Sequence, residues 1–209
     1  MRDLVLIASS GGASEYIGTV QNPHPSADRH VIVALVGTEP ILNDIACRLD
    51  VPLFAALEHA PRGADLAVTF EDKDLHRAAI EAGAERGMQP ATLVHADATI
   101  GPWVDVGVGC MISPGARVTG NVRLGRHCQL HTGSIVSHDG VLADYVTLSP
   151  GTTLCGGVTV GARSTVFAGA TVMPDVTIGS DATVGAGALV NKDVGDGVTV
   201  VGVPAKPLG

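Results

Sequence analysis

From residue 94 onward an aliphatic side chain occupies every sixth position. The series runs Val94, Ile100, Val106, Ile112, Val118, Leu124, Leu130, Val136, Leu142, Leu148, Leu154, Val160, Val166, Val172, Ile178, Val184 and Val190 without interruption. If about a third of positions were aliphatic by chance, such a run would arise on the order of once in a hundred million trials. Two residues before each aliphatic stands a small or slim side chain, as at Ala98, Cys110, Ala116, Cys128, Ser134 and Ala188. Glycine often follows it, as at Gly101, Gly125, Gly161, Gly179 and Gly185. A period of six fits neither an ordinary helix nor a flat strand. It is the hexapeptide period of a β-helix. Three hexapeptides close one triangular coil of 18 residues, and each face sends one aliphatic and one slim residue inward. Coils stack at strand spacing, about 4.8 Å, so residue i lies under residue i+18 and the column stands roughly 27 Å tall. The glycines are expected to serve turns that need positive φ.

Residues 1–91 lack this period and alternate strand and helix patterns. Leu4–Ile7 reads as a short buried strand ending in Ala8-Ser9-Ser10-Gly11-Gly12, followed by a helix. Val31–Val36 and Leu66–Phe70 read as further strands, and Ile41–Leu49 and Glu71–Arg86 as helices, the latter with Leu75, Ala79 and Ala82 on one face. Strands alternating with helices predict a small parallel α/β unit. The chain thus reads as a Rossmann-like α/β domain over 1–91 and a β-helix over 92–209 with a C-terminal tail. In the first, the glycine turn can aim backbone N–H groups at a phosphate; a tight strand–helix turn without a ligand is the alternative.

Composition sharpens this picture. Aromatics make up only 3% of the chain against 27 glycines, as expected of a narrow prism with no room for rings. The net charge of −8, with no Lys/Arg cluster, argues against a nucleic-acid partner. No apolar run is long enough to span a membrane, and Met1–Gly12 does not read as a secretory signal, so a soluble cytoplasmic protein is expected. Four cysteines do not make a disulfide scaffold. Cys110 and Cys128 lie one coil apart facing inward and read as slim core filler; Cys155 faces outward.

An α/β segment followed by an unbroken hexapeptide column resembles the nucleotide-sugar acyltransferases that N-acetylate UDP-4-amino-sugars, with their sialic acid O-acetyltransferase relatives. The resemblance covers nearly the whole chain. It rests most on the N-terminal glycine turn, Ala91-Thr92-Leu93-Val94-His95, Val136-Ser137-His138-Asp139 and the tail Gly202-Val203-Pro204-Ala205-Lys206. It implies a left-handed parallel β-helix, a homotrimer with active sites between neighbouring prisms, and acetyl-CoA as co-substrate. It further implies His138 as general base, Asp139 as its orienting carboxylate and the Gly156 N–H as oxyanion donor. Acyl transfer to an amine or alcohol needs such a set, since the nucleophile must lose a proton as it attacks the thioester. Counting 18 onward from His138 also reaches Gly156.

By the same resemblance His131, seven residues before His138, and Ser10, Gly11 and Gly12 would contact the acceptor. Gly202, Pro204, Ala205 and Lys206 would wall the coenzyme A cleft with Gly156. Two positions depart from the family pattern. Gly12 stands where a histidine is frequent, and Ala34-Leu35-Val36-Gly37-Thr38 carries no acid until Glu39, where the family commonly has a pair of aspartates. The acceptor class is therefore left as a small amine or alcohol, possible on a nucleotide-linked sugar.

Two other readings stay open. His95 and His131 are 36 residues apart, the spacing of two zinc ligands in gamma-class carbonic anhydrases, but the position of the third ligand is Val136, so no metal is expected. The remaining reading is a non-catalytic β-helix scaffold.

Overall fold

The computed structural model describes residues 1–208, and side chains for all of these but Ser10 and Gly11. The chain divides into two compact units, Met1–Ala96 and Asp97–Gly209.

In the first unit β1 (Arg2–Ile7) is followed by α1 (Ser10–Gln21), β2 (His30–Val36), α2 (Ile41–Leu49), β3 (Leu53–Phe54), β4 (Asp65–Val68), α3 (Lys73–Ala84) and β5 (Gln89–Pro90). The strands form one parallel sheet in the order β3-β2-β1-β4-β5. The chain winds outward from β1 to β3 and then crosses to β4, which puts the switch point between β1 and β4. Strands buried on both faces need continuous apolar runs, and Val5, Ile7, Ala34, Val36, Leu66 and Val68 join one core cluster.

The helix faces obey packing rather than apolar spacing alone. Leu75, expected on the inner face of α3, is 58% exposed, and Ala82 is exposed as well. The helix turns His76, Ala79, Ile80 and Gly83 inward instead. Gly83 decides this, because a Cβ there would collide with the Leu66 side chain. Apolar pattern alone does not mark a glycine or a histidine as an inward position. Asp72 starts α3 by accepting from the backbone N–H groups of Asp74 and Leu75 at 2.9 Å.

The second unit is a parallel β-helix of two-residue strands. Up to Val190 the pairings advance by 18 residues, for example Arg117 with Ile135 and Ile135 with Thr153 on one face, Leu124 with Leu142 on the next, and Leu130 with Leu148 on the third; the last step shortens to 16, Thr183 with Thr199. Inside, Val118, Leu130, Val136, Leu148, Leu154 and Val160 are wholly buried, and so are the slim residues Ala116, Cys128, Ser134, Thr152 and Ser164. Each fully buried aliphatic side chain contributes about 1.5–3 kcal/mol. Two of the buried hydroxyls find carbonyl partners, Thr152 Oγ1 donating to the Ser149 carbonyl at 2.8 Å and Ser164 Oγ to the Gly179 carbonyl at 2.6 Å, whereas Ser113 Oγ and Ser134 Oγ find none among the described residues. Cys110 and Cys128 are free thiols whose Sγ atoms donate to the carbonyls of Gly125 and Ala143.

The glycines do not divide as expected. Those that follow the aliphatic position do not have positive φ; they are sites of close approach. An added Cβ on Gly125 would lie 2.6 Å from the Ala143 carbonyl carbon of the next coil. Positive φ falls two residues later, on every sixth residue from Trp103 to Gly187. Many of these corners carry residues with side chains, among them Asn121, His127, Asp139, Tyr145, Arg163 and Asp181. The residue just before each such corner contributes little to the ladder through its N–H, and proline fills it at Pro102, Pro114, Pro150 and Pro174.

The column ends in a hairpin. Thr199–Val201 pairs antiparallel with Lys206–Pro207, and the intervening turn is pinned by Leu189 N–H on the Gly202 carbonyl and Ala205 N–H on the Leu189 carbonyl.

Candidate active site

One corner of the prism stacks Pro102-Trp103, Gly120-Asn121, His138-Asp139, Gly156-Gly157 and Pro174-Asp175, each pair one coil from the next. Asp139 has φ of 61°, a left-handed conformation that polar residues with short side chains tolerate best. It places the carboxylate beside its own neighbour: His138 Nδ1 lies 2.8 Å from Asp139 Oδ2. The other oxygen, Oδ1, accepts from Asn121 Nδ2 at 2.6 Å, across one coil. The His138 hydrogen bond, and after it the Asn121 one, hold the Asp139 carboxyl below its ordinary range. An ionised carboxylate only accepts, so Nδ1 of a neutral His138 carries the proton and Nε2 is left as an acceptor.

His138 faces Gly156. A Cβ built on Gly156 would lie 2.6 Å from His138 Nε2 and 2.5 Å from Cε1, so only glycine leaves that space open. The Gly156 N–H makes no hydrogen bond among the described residues, while the next one, Gly157 N–H, donates to the His138 carbonyl at 2.9 Å. The His138 side chain is 71% exposed. The arrangement brings together an imidazole, the carboxylate bonded to it, an amide N–H with no partner among the described residues and a vacant side-chain position.

Sequence reasoning missed Asn121. It belongs to no motif, yet it is the residue 18 before Asp139, so the same coil arithmetic that reached Gly156 finds it.

The other expected site residues lie elsewhere. His131 is 8% exposed and directly follows the buried Leu130, just before the preceding corner Thr132-Gly133. His95 is half-buried in the first unit. Among the described residues no three His, Cys, Asp or Glu side chains group as metal ligands. Cys155 is half-buried beside Gly156. Gly202, Pro204 and Lys206 are exposed in the C-terminal hairpin, with Ala205 half-buried; Gly202 has φ of 96°. Among the described residues no helix is long and apolar enough to cross a membrane.

In the first unit the helix begins earlier than the glycine turn suggested. Ser9 is its N-cap and makes no side-chain capping bond. Its N–H is spent on Thr69 Oγ1 at 2.9 Å. Gly12 is a packing glycine, since a Cβ there would lie 2.7 Å from Thr69 Cβ. Ser10 and Gly11 open α1, and their side chains lie outside the described residues. At the carboxyl ends of β1, β2 and β4 is a cavity of about 340 Å³, lined by Ala8, Gly37, Thr38, Glu39, Leu57 and Phe70 among others. Glu39, the first acid after β2, is part of its wall.

Comparison with known proteins agrees with this architecture. Residues 157–192 match the family "Bacterial transferase hexapeptide (six repeats)". Among curated proteins, none matches significantly by sequence. Among solved structures, PerB from Caulobacter crescentus in complex with CoA and GDP-perosamine is 30% identical, with a TM-score of 0.85 over 99% of this chain and 97% of that one. A point mutant of perosamine N-acetyltransferase from the same organism, also with CoA and GDP-perosamine, is 28% identical with the same TM-score and coverage. The acetyltransferase domain of PglB from Neisseria gonorrhoeae is 28% identical, with a TM-score of 0.82 over the full length of both chains. At 30% identity over nearly the whole of both chains, this chain belongs to the hexapeptide-repeat family of nucleotide-sugar N-acetyltransferases.

Proposed function

We propose that the protein transfers an acetyl group from acetyl-CoA to the amino group of a nucleotide-linked amino-sugar. The observation that carries this is the His138 ring, with Nδ1 engaged by Asp139 and Nε2 turned toward Gly156. The acceptor nitrogen attacks the thioester carbonyl and the N–C bond forms. Its proton passes to His138 Nε2, and the Gly156 N–H stabilises the oxyanion. As the C–S bond breaks, the proton goes on from His138 to the departing thiolate. The products are an amide and free coenzyme A, with no covalent enzyme intermediate. Removing the base costs about 10²–10⁴-fold in rate.

The tail residues Gly202, Pro204, Ala205 and Lys206 wall the coenzyme cleft in this reading. The prism winds left-handed and three copies form the working cytoplasmic enzyme, as the family resemblance implies. The α/β unit acts as a Rossmann-like holder of the nucleotide. The cavity at the carboxyl edge of its sheet supports this, since ligands of open α/β sheets bind where the strand order reverses. Glu39 lies at the end of β2, where an acid accepts from ribose hydroxyls. Ser10, Gly11 and Gly12 then present backbone N–H groups of the α1 N-terminus to the phosphates. His131 touches the acceptor.

Thiol release from acetyl-CoA, followed with GDP-perosamine and with UDP-linked 4-amino-sugars as acceptors, tests the proposal. Release that depends on an amino-sugar nucleotide supports it. Binding of acetyl-CoA without release on any amine or alcohol acceptor overturns it.

A further inference from the structure

We propose that Asn121 is a positioning residue that fixes the protonation geometry of His138 through Asp139. The inference rests on the assignment of His138 as the base, and its own test does not require turnover.

The prism supplies its own comparison. Polar side chains reach one coil forward to an aspartate at Arg126 to Asp144, Arg163 to Asp181 and Asn121 to Asp139. In the first, Asp144 accepts from Arg126 Nε and Nη2 and from its backbone N–H, at 2.7–3.0 Å, so the carboxylate is consumed by one cation. In the second, Asp181 takes Arg163 Nε at 2.7 Å. Both are rivets between coils. At the third, the donor is a neutral amide, which occupies Oδ1 and leaves Oδ2 for a histidine.

The choice of donor has a chemical consequence. A guanidinium would neutralise Asp139 and compete with His138 for it. An amide orients the carboxylate and leaves its charge intact, so that the charge still stabilises an imidazolium. An unheld carboxylate on an exposed corner would rotate about χ1 and χ2 and lose the Nδ1 contact for part of the time. The other charged groups near this corner are Asp175, two coils beyond Asp139, and Arg117 and Arg123, exposed on the two faces adjoining Asn121. Among the described residues none of these ion-pairs with Asp139, whose hydrogen-bond partners are His138 and Asn121.

Two substitutions separate positioning from mere corner filling. Asparagine at φ of 55° can be replaced by Asp or Arg without new backbone strain, since this chain places Asp at φ of 61° at Asp139 and Arg at φ of 65° at Arg163 in equivalent corners. Asn121→Asp turns the donor into a second carboxylate. Asn121→Arg introduces the rivet found elsewhere on the prism. The experiment is a ¹⁵N-edited NMR titration of the His138 ring in the full chain, assigned by its loss in His138→Ala. The wild type is expected to show the Nδ1–H tautomer when neutral. The His138 midpoint is expected to move to higher pH in Asn121→Asp and to lower pH in Asn121→Arg. Opposite shifts support the proposal. Coincident midpoints, or an Nε2–H tautomer in the wild type, overturn it. Thiol release measured on the same samples is expected to fall about ten-fold or more in kcat for both variants, with KM for acetyl-CoA little changed. If the ring responds while the wild type transfers nothing, the function fails and the positioning stands. If transfer proceeds while the ring does not respond, the positioning fails and the function stands.

Discussion

The interior of the prism and its His138 corner are built from the same 18-residue coil, yet they vary in opposite ways. Along the interior, Val118, Val136, Leu154 and Val172 repeat one aliphatic theme at the same place in successive coils, each with no measurable exposure. Along the corner the same coils carry Asn121, Asp139, Gly157 and Asp175. An interior position has one physical task, filling a narrow column, and a single residue class performs it. A corner position is constrained only in its backbone, so side chains are free to differ there and chemistry can be placed on single rungs. Regularity therefore marks what holds the molecule together, and departure from it marks where distinct side-chain chemistry is placed.

Substitutions can break that contrast. The largest effect is expected from His138→Ala, which removes the proposed base at an exposed position: kcat should fall about 10²–10⁴-fold with little change in melting temperature. An unchanged transfer rate would remove His138 from the mechanism. Leu154→Ala should do the reverse. It opens a cavity in a column that cannot collapse, at about 2–5 kcal/mol of stability measured by denaturant unfolding, while the folded fraction keeps its kcat. Gly156→Ala sits between the two. Its φ suits alanine, so the fold tolerates it, but the new methyl would press on the His138 ring at 2.5 Å. A ten- to hundred-fold loss of kcat without a comparable loss of stability is expected, and equal activity would show that the space between Gly156 and His138 is not used.

The same contrast explains what was legible beforehand. The six-residue period dictated the interior, so the pairing of Arg117 with Ile135 and of Leu130 with Leu148 follows directly from it. It also brought Gly156 beside His138. The corner conformation was hidden, because positive φ is carried as often by Trp103, Asn121, Tyr145 and Arg163 as by glycine. The visible glycines after the aliphatic residues serve another need, clearance for the next coil. Asn121 escaped notice because its partner is distant along the chain and adjacent only through the coil. In the α/β unit, apolar spacing located all three helices but put Leu75 on the inner face of α3, since neither Gly83 nor His76 registers as apolar.

The smallest expected effect compares two aspartates on different corners under acid. Asp139 is held below its ordinary range by the hydrogen bond to His138 and then by Asn121. For Asp144, burial pushes upward and the hydrogen bonds from Arg126 more than offset it, leaving this group low as well. A carboxylate with a depressed folded pKa binds fewer protons in the folded state than in the unfolded one. Its stabilisation is complete above the unfolded value, 3.8, and is lost as pH falls below that value through the folded pKa. Melting temperature should therefore begin to drop near pH 4 on these groups' account. Asp144→Asn and Asp139→Asn should each flatten that drop slightly. Only Asp139→Asn should lower kcat at neutral pH, because an amide at this position can no longer hold the Nδ1–H tautomer of His138. Should Asp144→Asn lower kcat as much, the division between rivet and working aspartate would be lost, and with it the claim that one rung of this corner is chemically distinct from the rest of the prism.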